Sequence, residues 1–210
     1  LNGKRADMAI VDNMNGVEKV IKRLFDIIAS ALGTLLLSPL FIAVIIVLKK
    51  QGDGPVLYRQ ERIGYKGRPF YILKFRTMTV DGEDEGTPQL AQENDDRLTP
   101  VGKFLREHHL DELPQLINVL TGDMSFVGPR PERKFFIDQI MENDPNYQYV
   151  YLMRPGITSY ATIYNGYTYN MEKMLIRLRM DLDYLQHRSL WVDMKIIFIT
   201  VIKIVNGKKI

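Results

Sequence analysis

Asp111 and Glu112 are adjacent carboxylates followed by Leu113, Leu116, Ile117 and Leu120 at helical spacing, with Gly122 as a stop. The spacing predicts a helix that begins at the pair, and Pro114 is tolerated only in its first turn. A carboxylate there meets unpaired backbone N–H groups and the positive end of the helix dipole, which favour its ionised, nucleophilic form. Two carboxylates would repel an anionic substrate. Phosphate chemistry would therefore require cations, for which Arg106, Arg130 and a divalent metal are candidates. The plainer reading makes Asp111 an N-cap and Glu112 a favourable first-turn charge.

Further reactive types lie to either side. Val56-Leu57-Tyr58 and Phe70 to Phe75, separated by Gly64-Tyr65-Lys66-Gly67, pattern as a hairpin carrying Arg59, Arg62, Lys74 and Arg76; alone, such cations read as a solvated face. Thr99-Pro100 starts a helix, expected over Val101 to Glu107, that delivers Arg106. His108 and His109 lack companions at metal-ligand spacing and read as exposed junction residues. The acidic stretch from Asp81 to Asp96 reads as a mobile solvated loop able to act as a lid.

The elements that must position these groups begin with an anchor. Residues 1–18 read as a linker or loose tail, and with Leu1 in first place some preceding context is expected to be missing. Ile27 to Leu48 carry no charge, but Ser38-Pro39 interrupts them. Each half is then about 11 residues, roughly 16 Å, against a hydrocarbon core of about 30 Å. Lys19, Lys22 and Arg23 before the run and Lys49 and Lys50 after it put both ends on one face, which predicts a re-entrant helix-break-helix, with Ser38 as partner for freed backbone groups. A proline-kinked spanning helix is the competing reading. Helices are also expected over Glu132 to Asn143, Met171 to Gln186 and Leu190 to Val205. The last is apolar nearly all round, and is expected in the membrane interface or the core, with Lys203, Lys208 and Lys209 suited to anionic headgroups.

A chain of 210 residues, 46% hydrophobic, holds one core plus an anchor. A net charge of +3 suits a membrane surface or a phosphorylated substrate, and no nucleic-acid motif appears. With no cysteine there is neither a disulfide framework nor a thiolate site.

Leu110-Asp111-Glu112-Leu113-Pro114-Gln115-Leu116 and Gly122-Asp123-Met124-Ser125-Phe126-Val127-Gly128-Pro129-Arg130-Pro131 closely resemble the signature of the bacterial sugar transferases, the monotopic phosphoglycosyl transferases. So do Lys74-Phe75-Arg76-Thr77-Met78 and Arg154-Pro155-Gly156-Ile157-Thr158. The resemblance runs from about Lys19 to the C-terminus and departs after Thr158. There Ser159 to Tyr167 stand where the family commonly shows Gly-Trp-Ala-Gln-Val-Asn-Gly-Arg.

The resemblance implies an α+β fold: a mostly helical membrane-associated domain with a small β-hairpin and a re-entrant membrane helix (19–50) broken at Ser38-Pro39. The catalytic domain (51–210) would carry interfacial helices. It further implies Asp111 as nucleophile toward the β-phosphorus of a UDP-sugar, with Glu112 beside it and Mg²⁺ held by the pair. Lys74, Arg76, Arg106 and Arg154 would bind phosphate, Pro129, Arg130 and Pro131 would bind nucleotide, and Asp181 and Asp193 fall at acidic positions. The implied partners are a UDP-sugar, polyprenyl phosphate and the phospholipid bilayer, with a homodimer left open. The implied place is the cytoplasmic face of a bacterial inner membrane, at the first membrane step of glycan assembly. A phosphohydrolase built on the same dyad, or a non-catalytic membrane scaffold, are the alternatives.

Overall fold

Proline has no amide hydrogen, so Pro39 cannot donate to the carbonyl of Leu35 four residues back, and the chain breaks there. In the computed structural model, which describes residues 10–52, 54–79, 96–166, 168 and 170–206, α1 spans Gly16–Leu36 and α2 spans Ser38–Lys50, at 59° to one another. The hydroxyl of Ser38 donates to the orphaned Leu35 carbonyl at 2.7 Å. The expected break and its expected partner are both present. Among the described residues no single helix is long and apolar enough to cross a membrane.

Residues 10–18 are held rather than loose. Met14 is buried, Asp12 pairs with Arg188 and Lys19, and Asn15 and Glu18 form a reciprocal capping box at the start of α1. Residues 1–9 lie outside the described residues.

The hairpin forms as expected. β1 (Leu57–Ile63) and β2 (Pro69–Phe75) pair antiparallel with Leu57 opposite Phe75. Thr99 caps α3 (Pro100–Glu107), its hydroxyl accepting from the Gly102 amide. α3 lies so close to the segment that follows β2 that a Cβ on Gly102 would sit 1.8 Å from the Thr77 carbonyl oxygen. α4 (Gln115–Thr121) follows, and the Asn118 amide stitches it to β2 by accepting from Leu73 N and donating to Tyr71 O.

A second sheet was not foreseen. β3 (Ser125–Val127) pairs parallel with β4 (Gly156–Thr158), which joins the Val127-Gly128-Pro129-Arg130-Pro131 loop to the Arg154-Pro155-Gly156 turn. The remaining helices are α5 (Lys134–Asn143), α6 (Tyr160–Asn165), α7 (Met171–His187) and α8 (Leu190–Val205). Phe136, Ile137 and Ile140 of α5 pack with Tyr147, Val150 and α7 in one core cluster, and Val127, Met153, Leu185 and Ile196 form another.

The two N-terminal helices pack onto the rest of the chain. Val44 and Leu48 of α2 are buried with Phe75 and Leu105. Lys22 and Arg23 of α1 donate to carbonyls of Val127, Val119 and Leu120, the last two at the C-terminal end of α4.

α1 and α8 are inside-out. α1 buries Asp26 and Ser30 while Val20, Leu24, Ile28 and Leu32 face outward. α8 turns Asp193 inward to Lys22 and the Tyr184 hydroxyl, Thr200 to Thr158 and Lys203 to the Ile163 carbonyl. Its Trp191 is 78% exposed and Phe198 66%. Lys203 is therefore not directed at headgroups, a correction that follows from this inverted polarity; Lys208 and Lys209 lie outside the described residues, as does the acidic stretch over 81–95.

Candidate active site

The dyad does not open a helix. Asp111 and Glu112 sit on a 3₁₀ turn, Leu110–Glu112, and α4 begins only at Gln115, where Pro114 takes the cap position with no side-chain cap bond. This corrects both sequence readings: Asp111 is neither an N-cap nor placed against free N–H groups of α4. The turn is entered through His109 in the left-handed region (φ 54°), which re-aims the chain after α3.

Because α4 is stitched to β2, Lys74 on that strand reaches the dyad, and its Nζ lies 2.6 Å from Glu112 Oε1. Arg130 lies 3.7 Å from the same oxygen. Burial opposes ionisation of Glu112, but Lys74 and Arg130 outweigh it and hold the carboxyl at about 2. Asp111 behaves oppositely. Burial raises it above the usual carboxylate value, the Lys74 cation opposes the rise, and the Glu112 charge adds to it. Asp111 is 6% exposed, and its carboxylate makes no hydrogen bond among the described residues. One acid is thus a fixed, paired anion and the other is left facing the cavity, an asymmetry suited to nucleophilic use of Asp111.

Lys74→Met removes the main opposing charge, so the acid limb of kcat/KM against pH should move to higher pH. An unmoved limb would mean that Asp111 does not set it.

A cavity of about 720 Å³ joins these groups. Lys74, Arg76, Arg106, Arg130, Asp111 and Glu112 line it, as does His109, which the sequence had suggested was an exposed junction residue. Arg76 is itself buried and donates to the carbonyls of Leu48 and Gly52, so it also clamps the end of α2. Arg154 does not line the cavity. Its Nε donates to the Gly122 carbonyl and its guanidinium lies 4.8 Å from the Tyr65 ring centre, which makes it a brace for the end of α4. Pro129 and Pro131 are buried flanks that present Arg130 without lining the space themselves.

Asp193 holds Lys22, and Asp181 lies buried beside Arg177, where burial pushes its carboxyl up to about 7. Neither lines the cavity. The sequence reading passed over Arg97, Arg133, Arg177, Glu132, Thr162 and Thr168, which do. Their only signal was charge or a hydroxyl on elements whose facing it could not decide.

Among the described residues no three His, Cys, Asp or Glu side chains gather into a preformed metal cage. Mg²⁺ needs none, since it commonly takes one or two carboxylates and fills its shell with phosphate oxygens and water. The unbonded Asp111 carboxylate and the second oxygen of Glu112 fit that demand.

The family model for bacterial sugar transferases matches residues 17–207. A UDP-N-acetylgalactosamine-undecaprenyl-phosphate N-acetylgalactosaminephosphotransferase of Aeromonas hydrophila is 42% identical over 187 residues, 89% of this chain and 44% of the relative. A UDP-glucose:undecaprenyl-phosphate glucose-1-phosphate transferase of Escherichia coli (strain K12) is 43% identical over 192 residues, 90% of this chain and 41% of the relative. An exopolysaccharide production protein of Rhizobium leguminosarum bv. phaseoli is 36% identical over 201 residues, 91% and 99% of the two chains. The chain thus spans less than half the length of the first two and nearly all of the third.

Proposed function

The chain belongs to the bacterial sugar transferase family, and from that premise we propose that it moves a phosphosugar from a UDP-sugar to undecaprenyl phosphate, releasing UMP. One observation carries the reading. A single cavity is lined by the unbonded Asp111 and a ring of arginines, and also by Gly33 and Leu37 at the α1–α2 break and Ile204 of α8. A water-soluble diphosphate and a bilayer-held phosphate can meet in such a space.

A carboxylate oxygen of Asp111 bonds to the β-phosphorus as the bond from that phosphorus to the bridging oxygen breaks, and UMP leaves. An oxygen of the lipid phosphate then bonds to the same phosphorus and the aspartyl oxygen departs, restoring the carboxylate. Lys74 keeps Glu112 ionised and in place, and Arg106 and Arg130 face the charge that develops on phosphate. Mg²⁺ on the dyad would supply further neutralisation of the diphosphate.

The inside-out faces of α1 and α8 support a membrane seat. Exposed apolar side chains there would enter lipid, and the buried polar groups are satisfied within the protein. Both ends of the α1–α2 pair are tied to one globular body, which supports a re-entrant anchor in the inner membrane, as does the positive charge at both ends. The chain has no cysteine, so single cysteines at Val11 and Lys50 can be labelled cleanly. Both should react from the cytoplasmic side of membrane vesicles; opposite-side labelling would mean a spanning helix.

The activity is tested by UMP release from purified protein with Mg²⁺ and a panel of UDP-sugars, with and without undecaprenyl phosphate. Multiple-turnover release that requires the lipid supports the transferase. Release indifferent to lipid would make it a hydrolase.

A further inference from the structure

Two relatives of nearly equal identity are named for different sugars, N-acetylgalactosamine and glucose. The sugar must therefore be met by side chains that this fold can vary. One cluster in the cavity wall is unused by the steps above. Glu132 pairs with Arg177 and lies 3.6 Å from Arg62, and the Glu132 and Arg177 side chains are each only 11% exposed. Arg177 also donates to the Thr168 hydroxyl. Arg62 donates to Gln60 and, at a long 3.4 Å, to the Pro131 carbonyl. Its Nε–H is buried with no acceptor among the described residues. Arg62, Glu132, Arg177 and Thr168 line the same cavity as Asp111.

A buried donor without an acceptor is costly in a folded protein and calls for a partner from outside the chain. The chemistry of the wall narrows that partner. Guanidinium donors, a carboxylate acceptor and a threonine hydroxyl together serve a ring of hydroxyl groups, each of which both donates and accepts. A phosphate would meet the Glu132 carboxylate here, and Lys74, Arg106 and Arg130 already surround the dyad. Position agrees, because Arg130 contacts Glu112 and stands two residues before Glu132. The cluster and the dyad thus share one cavity, with the loop that carries Arg130 between them in sequence.

We infer that Arg62, Glu132, Arg177 and Thr168 form the pocket for the donor's hexose, an inference that rests on the phosphosugar-transferase reading. The Arg62 guanidinium turns toward the cavity as the donor enters, so that its unused Nε–H meets a sugar hydroxyl, and Thr168, held by Arg177, offers a second contact. Thr168 lies just beyond the stretch where the chain departs from the common family pattern.

The test uses the full chain in nanodiscs with its preferred UDP-sugar, and UDP as a competitor that lacks the sugar. Arg62→Lys keeps the charge and removes Nε; Thr168→Val removes the hydroxyl at nearly constant volume. Each should raise KM for the UDP-sugar by about 10- to 100-fold while inhibition by UDP stays within about twofold, and Thr168→Ser should restore KM. Thermal unfolding reports whether Arg62→Lys folds, and Thr168→Val decides alone if it does not. Equal losses for UDP-sugar and UDP would assign the cluster to the diphosphate or nucleotide and overturn the inference, as would a rise confined to the lipid's KM or no change in any KM. Wild-type protein that releases no UMP from any UDP-sugar overturns the transferase reading too, so the two failures are told apart.

Discussion

Asp111→Asn should reduce lipid-dependent UMP release by at least about 10⁴-fold, the scale on which a covalent nucleophile is missed, and no phosphosugar should remain bound to the protein. Its fold should survive. The Asp111 carboxylate makes no hydrogen bond among the described residues, so Asn removes no contact. The sign of the charge effect agrees. A carboxyl whose pKa is raised on folding adds stability below its unfolded value and loses it as pH rises through the folded value. At neutral pH the ionised form burdens the fold, and the neutral Asn should leave the thermal midpoint unchanged or higher. Glu112→Gln should separate the two acids. It breaks the 2.6 Å pair with Lys74, so it should lower the midpoint, yet a measurable covalent intermediate should persist. With the neighbouring negative charge gone, the Asp111 carboxyl falls and the acid limb of the pH profile moves down, opposite to Lys74→Met. Full turnover in Asp111→Asn would remove Asp111 as nucleophile.

Gly128→Ala should destabilise the protein by more than about 3 kcal/mol and abolish activity with it. A Cβ at Gly128 would lie 2.1 Å from the Arg154 carbonyl oxygen, and one at Gly156 would lie 2.1 Å from Gly128 N. Two backbones cross here, and neither contact can be relieved by a side-chain rotation. Gly128 N donates to Thr158 O and Gly156 N to Pro129 O, so separating the strands would also orphan buried backbone groups. Arg130, carried two residues after Gly128, would leave Glu112. Urea unfolding of the variant beside wild type reads the loss directly; a midpoint within error of wild type would mean the crossing yields without cost.

The glycines of two separate sequence motifs thus belong to one physical feature. Val127-Gly128-Pro129-Arg130-Pro131 and Arg154-Pro155-Gly156-Ile157-Thr158 looked like independent loops, because the pairing of Ser125 with Gly156 and Val127 with Thr158 involves three-residue strands far apart in the chain. Such strands have no periodicity of their own. The surroundings of Arg154 were hidden for the same reason. Its type suits phosphate, and only the fold shows its Nε on the Gly122 carbonyl and its guanidinium beside the Tyr65 ring.

Local signals were more dependable. Asn170 and Ser189 cap α7 and α8 by accepting from amides three residues on, and α8 occupies the range its composition suggested. The same composition could not say that Asp193, Thr200 and Lys203 point inward while Trp191 and Phe198 point out. An apolar helix with a polar stripe reads identically whether water or lipid lies outside it. The sequence by itself determined the hairpin, the longer helices, the break at Pro39 and, through its short motifs, the family, because caps, prolines and hairpin turns act over a few residues. Only the tertiary structure decided that Lys74 holds Glu112 and leaves Asp111 unbonded. That division of labour depends on Asn118 fastening α4 to β2, a contact between segments that the chain itself keeps well apart.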